Sequence, residues 1–365
     1  MRLGFAVGAL AAVVSIACAL PVHAQTASAS GRDTTWGTTA HKKGFKRPNA
    51  GRSAEAASIQ PSLIYVNASV GTGGVGLRNR GAGAIDVSGV TGPVQAAYLY
   101  WAVITQGTPT QADRSVKITR LSPTAPGGIK PAAAPRIVGP KAIPGGVVGQ
   151  GPSPCWPGNQ ITVFRGKVPA ALAVGNGLYL VTLNAGASGA TGGEDPWSVT
   201  TLPLMEGASL VIIGSGNQTA AIFDKNLAGS TFYSYPGLSY GLALPADPVA
   251  ANQVIFREIG ADGQVGFDLS AVLATSEEDT YVNGIAVAGP GAPTSDSDWN
   301  GSVAGPVAQL WDDEAHDVTF AFHAQSTAAP HARPAQAGNA MSVSVFSANA
   351  GDCLTPVANI VALSP

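Results

Sequence analysis

The segment SDSDWNGS, Ser295 to Ser302, sets Asp296, Asp298 and Asn300 at alternate positions ahead of Gly301. Calcium loops begin this way: alternate oxygens converge on one ion and the glycine allows a sharp turn. The pattern then leaves the EF-hand, because its bidentate glutamate position falls on Val307 and Gly305-Pro306 cannot start an exit helix. A distant carboxylate could complete the shell, and LWDDEAHD (310–317) offers Asp312, Asp313 and Glu314. Calcium is thus the candidate cofactor, with Asp296, Asp298, Asn300, Asp312 and Asp313 as candidate metal ligands. The competing reading is an Asx-turn connection without an ion. Charge favours the ion: twelve carboxylates and no Lys or Arg lie between Glu258 and Ala332, while the whole chain carries only −2. Such a stretch must spread over a solvated surface or be neutralised by a cation.

GLSYG, Gly237 to Gly241, satisfies the G-x-S-x-G of a nucleophile elbow, and Ser239 is followed by His316, His323 and His331. An elbow needs a buried strand before the serine and a helix after it, whereas YSYP precedes and GLALPADP follows. Ser239 is therefore expected in a turn or at a strand end with no catalytic partner, and Ser239 with His316 is the catalytic alternative. A glycosidase would need two carboxylates across a groove, and no motif in the acidic stretch selects a pair. GSGNQ and GTGGVG lack the strand–glycine–helix setting of a phosphate cradle and read as turns. The five histidines show no metal spacing. Trp101, Trp299 and Trp311 could form a carbohydrate platform, although Trp101, inside AAYLYWAVI, reads as core.

The elements that must position these residues are strands. Glycine and proline, 46 and 27 residues, make up about a fifth of the chain, and only 12% is charged. Such a composition disfavours long helices and suits short strands joined by turns. Thirteen apolar segments fit, from SLIYVNASV (62–70) to VANIVAL (357–363). DVTFAFH (317–323) and MSVSVFS (341–347) alternate with period two, as half-buried antiparallel strands do. The best helical signal is one turn near Asp268 to Leu273. The reading is all-β: an antiparallel two-sheet sandwich, jelly-roll-like, in a single domain over 61–365 with long Gly/Pro-rich loops. The longest, 121–158, is expected to run over the surface.

Residues 1–24 read as a signal peptide: Arg2, an apolar run from about Phe5 to Leu20, then Val22-His23-Ala24 before Gln25. The run is too short for a membrane span, so no transmembrane segment is expected. Cys18 falls in SIAC, where Ser15 occupies the aliphatic position of a lipoprotein box. Export would leave Cys155 and Cys353 in an oxidising compartment, where a disulfide is the expected state and two buried thiols the alternative. That bond would close a loop of nearly two hundred residues, worth up to roughly 4–5 kcal/mol on chain entropy. Residues 25–60 hold six basic side chains and little apolar character, which describes a disordered arm. Without interleaved aromatics it does not suggest nucleic-acid binding.

AAYLYWAV, EGASLVIIGSGN, NLAGSTF, SDSDWNG, LWDDEAHDVTF and DCLTPVANIVAL together resemble an uncharacterised group of exported bacterial adhesin-like, cell-surface β-sandwich proteins. The resemblance runs from about residue 62 to the end. It rests on strand and loop signatures, implies secretion and a sandwich, and carries no activity. The resulting expectation is a secreted or outer-surface protein, non-catalytic, that binds a surface, a glycan, a protein partner or another copy of itself. The alternative is a secreted hydrolase: an esterase, polymer depolymerase or glycosidase.

Overall fold

The structure, a computed structural model, describes residues 58–78, 80–121, 141–153, 156, 158–183, 202–227, 232–233, 237–261, 278–288, 299, 311–323, 338–347 and 353–365. Contacts divide the chain into Met1–Ala54 and Glu55–Pro365, and every described residue belongs to the second unit. In chain order the strands are β1 (Leu63–Gly76), β2 (Ala82–Val87), β3 (Val94–Thr105), β4 (Ser115–Arg120), β5 (Lys141–Pro144) and β6 (Gly146–Ser153). Next come β7 (Asn159–Lys167), β8 (Gly177–Leu183), β9 (Leu204–Ser215), β10 (Gln218–Phe223), β11 (Phe232–Tyr233) and β12 (Leu238–Ala243). The last are β13 (Gln253–Ala261), β14 (Glu278–Val282), β15 (Ile285–Ala288), β16 (Trp311–Asp317), the helical turn α1 (Phe320–His323), β17 (Ala340–Ser347) and β18 (Cys353–Ser364).

The fold is all-β, antiparallel and sandwich-like, with no sheet closed into a barrel. The described strands form three sheets. The largest runs β16-β13-β18-β10-β1-β9-β3-β7-β6, with β11 alongside β18; the others run β12-β17-β14-β15 and β2-β8-β4-β5. Alternation along the shared strands explains the layering. On β3, Leu99, Trp101 and Val103 join the core under β2-β8-β4-β5, while Tyr98, Tyr100 and Ala102 point the other way. On β18, Val361 and Leu363 join the core under β12-β17-β14-β15, while Ile360 and Ala362 point the other way. Register places both outer sheets on one face of the large sheet. Its opposite face packs on itself: Trp311 of β16 reaches across to β9, donating from Nε1 to Ser209 Oγ at 2.9 Å. Strands buried on both faces read as unbroken apolar runs, as LVIIG (210–214) in β9 does.

Glycines allow these close approaches. A Cβ at Gly207 would lie 2.4 Å from the Trp311 ring, and one at Gly260 2.1 Å from the Trp299 ring. This corrects two readings. GTGGVG is not a turn but the second half of β1, where Gly71 and Gly73 admit the backbone of residues 86–88; GSGNQ does turn the chain from β9 into β10. Trp299 and Trp311 form no platform with Trp101, because all three are at most 2% exposed.

Four further differences have local causes. The segment 121–158 is not all loop: β5 and β6 lie in it, both at sheet edges, where their prolines lose no ladder bond. The chain changes sheet between them at Gly145, whose missing side chain leaves room for the Trp101 ring. LWDDEAHD is largely strand β16, and DVTFAFH ends it: Asp317 Oδ1 accepts from Thr319 N (3.0 Å) and Oγ1 (2.5 Å), stopping the strand and starting α1. YVNGIAVA is two strands, because Asn283 and Gly284 take φ of 50° and 81° and make the tight turn of a hairpin. The helical signal at Asp268 to Leu273 lies outside the described residues.

Candidate functional site: a recess around Arg257

Of the sequence-derived ligands, only Asp312 and Asp313 are among the described residues. Asp312 and Asp313 are consecutive on β16 and face opposite sides of the sheet. Asp312 lies across from Gly260, on which the Trp299 ring rests. Asp313 lies across from Ile259, in the face that packs on itself. One ion cannot take both carboxylates while β16 keeps its pleat. Among the described residues, no three His, Cys, Asp or Glu side chains cluster as a metal site. Asp296, Asp298, Asn300 and Cys155 lie outside the described residues; the backbone of Cys353 opens β18, paired with Tyr233.

Ser239 is the second residue of β12. It is exposed, and its Oγ donates to Ser344 Oγ at 2.9 Å. Its neighbours Tyr240 and Leu242 point inward, as does His316 on β16, which is 3% exposed opposite Phe256. Ser239 and His316 are therefore on opposite sides of the β12 sheet and are not brought together.

The residue that the sequence passed over is Arg257. It sits mid-strand on β13, facing the same side as Ile255 and, on β16, Asp313. Its Nη1 donates to Thr72 Oγ1 (3.1 Å) and its Nη2 to Val70 O (3.4 Å). Buried Nε makes no hydrogen bond, and no carboxylate comes within ion-pair distance among the described residues. A guanidinium has five N–H donors, so more than half are left without a partner among the described residues. Burial lowers the Arg257 pKa, opposed by the charge of Asp313. Both oxygens of Asp313 are buried too; burial pushes its pKa up to about 6, against the pull of Ser209, Thr72 and Arg257.

Arg257 lines a recess of about 200 Å³ with Ser69, Thr91, Asn217, Gln218 and Ile255. Its rim is held in place. Ser69 Oγ donates to Thr91 O and accepts from Thr91 N, both at 2.9 Å. On the other side of the same segment, the Asn176 amide pairs with both backbone groups of Val90. Gly89, at φ 89°, brings the backbone over the guanidinium, and a Cβ there would lie 3.7 Å from Nη2. No sequence motif marks this arrangement; the only signal was an arginine standing immediately before the acidic stretch.

A second polar cluster spans the same face. Buried Asp224 accepts from Arg165 Nη1 (2.5 Å), Tyr100 Oη (2.9 Å), Lys225 N (2.7 Å) and Ser62 Oγ. Arg165 also stacks over Tyr98, whose hydroxyl meets that of Tyr65 at 2.5 Å. Burial and the Asp224 carboxylate hold the Tyr100 phenol well above its ordinary pKa. With its oxygens satisfied from four sides, Asp224 ties distant strands together. Comparison with known proteins finds no family model, no curated protein and no solved structure that matches this chain.

Proposed function

We propose that this chain is an exported, non-catalytic binding protein of the cell surface or secreted matrix, and that the sandwich presents the Arg257 recess to a glycan. The observation that carries this reading is the recess itself: an incompletely satisfied guanidinium ringed by hydroxyls and amides, on a rim fixed by Ser69 and Asn176. Groups held in place before binding lose little entropy when a ligand arrives. At about 200 Å³ the recess is smaller than the roughly 300–1,000 Å³ pockets that enclose drug-sized ligands, so it suits one residue at the end of a chain.

The hydrolase alternative draws little support from Ser239, whose hydroxyl is bonded to Ser344 and faces away from His316. The deciding experiment screens the purified secreted protein on a glycan array and, in parallel, on ester and polysaccharide substrates. Binding without turnover is expected, unchanged in Ser239→Ala; turnover that disappears in Ser239→Ala would establish the hydrolase instead. A Cys155–Cys353 disulfide and a stabilising calcium ion belong to the same proposal. Thiol titration of the secreted protein should find no free cysteine, and chelator should lower Tm, because an ion bound only by the native state stabilises it by mass action.

A further inference from the structure

We infer that the recess receives the carboxylate of an acidic sugar residue, with Arg257 as its receptor; this rests on the glycan-binding reading above. Arg257 makes only two hydrogen bonds among the described residues, neither to an anion. A half-buried cation without a contact counter-ion among the described residues keeps donors available, and an anion that enters beside it gains a charged contact. Asp313 sits on the same face but does not reach ion-pair distance. Its charge is too far off to occupy the donors that face the recess.

The rest of the lining selects what carries the anion. Thr91, Asn217 and Gln218 border the same space as Arg257. The Thr91 hydroxyl donates to Ser215 O and Gln218 Nε2 to Ser364 Oγ, which leaves their oxygens to accept and the Asn217 amide to donate and accept. That set matches the hydroxyls of a sugar ring. Ile255 supplies an apolar wall against which the face of a ring can rest. The guanidinium is planar and matches a carboxylate in a two-point contact that an ammonium cannot reproduce. The volume holds one ring, so the acidic residue is terminal or a side branch.

Calorimetric titration of the full secreted chain with glucuronate, glucose, inorganic sulfate and N-acetyl-alanylalanine tests this. Glucuronate should bind, and glucose should bind roughly tenfold or more weakly, because a charged hydrogen-bonded contact is lost. Arg257→Gln and Arg257→Lys should each weaken glucuronate by roughly tenfold or more. If Arg257→Gln fails to fold by circular dichroism, Asn217→Trp takes its place: this exposed turn position can carry a ring that blocks the mouth, and it should abolish binding. Sulfate binding as tightly as glucuronate would overturn the choice of a carboxylate, and tighter binding of the peptide would overturn the sugar. Neutral glycans bound equally well by wild type and Arg257→Gln would sink this inference and leave the binding-protein reading standing. A wild-type protein that binds none of the glycans would end both.

Discussion

Asp312 and Asp313 are covalent neighbours in different surroundings, and Asp313 leads to a pH prediction. Its native pKa is about 6 and the ordinary value is 3.8. Between those values the native state binds more protons than the unfolded chain, so stability falls as pH rises from about 4 to 6 and stays low above. The shift corresponds to about 3 kcal/mol. Asp313→Asn should therefore be more stable than wild type at pH 7.5, by up to about 3 kcal/mol, with the gain gone near pH 4. Urea denaturation at the two pH values measures it. No gain at pH 7.5 would mean that the ionised carboxylate has a compensating partner. Asp224 gives the contrasting case. Its carboxylate is fully buried but bonded to Arg165, Tyr100 and Ser62. Asp224→Ala should cost about 3 kcal/mol, the low end for a broken buried pair because Arg165 keeps some contact with water. Tyr100→Phe should cost about 1 kcal/mol. Costs near zero in both variants would show that the cluster does not hold the sheet.

At the scale of elements, several strands depend on what their glycines leave out. The Trp311 ring lies on Gly207 of β9, and that contact docks edge strand β16 across the face of its own sheet. Gly207→Ala would force the indole off the strand, since the added Cβ falls 2.4 Å from the ring. A loss of about 1–3 kcal/mol is expected, as for other overpacked sites, with faster hydrogen exchange in β16 than in β9. Unchanged exchange in β16 would show that the indole does not anchor the strand. The Asn283-Gly284 turn follows the same logic: both residues take positive φ, which asparagine and glycine tolerate best.

At the scale of the whole unit, two outer sheets share one large sheet, and among the described residues no core is built from outer strands alone. Melting either outer sheet exposes apolar residues of the shared strands. Unfolding of the Glu55–Pro365 unit is therefore expected in one transition, with far-ultraviolet and near-ultraviolet signals coinciding in urea. Two resolved transitions would mean that one outer sheet comes away independently.

Composition and period-two patterning were sufficient for the all-β class and for most strands, because alternation and turn residues act over a few neighbouring positions. Trp101 was legible as core for the same reason: a tryptophan within a long apolar strand has nowhere else to go. GTGGVG was misleading because its glycines answer to the backbone of residues 86–88, brought in by pairing and not by sequence neighbours. The acidic stretch offered Asp312 and Asp313 as alternatives, and only the pleat of β16 shows that the two face opposite sides of the sheet. Arg257 gave almost no local signal. Its recess takes residues from β1, the segment after β2, the turn from β9 into β10, β13 and β18, and only the folded chain brings them together. Short-range chemistry is written in the order of residues, whereas a site assembled from five separate segments exists only once the chain has folded.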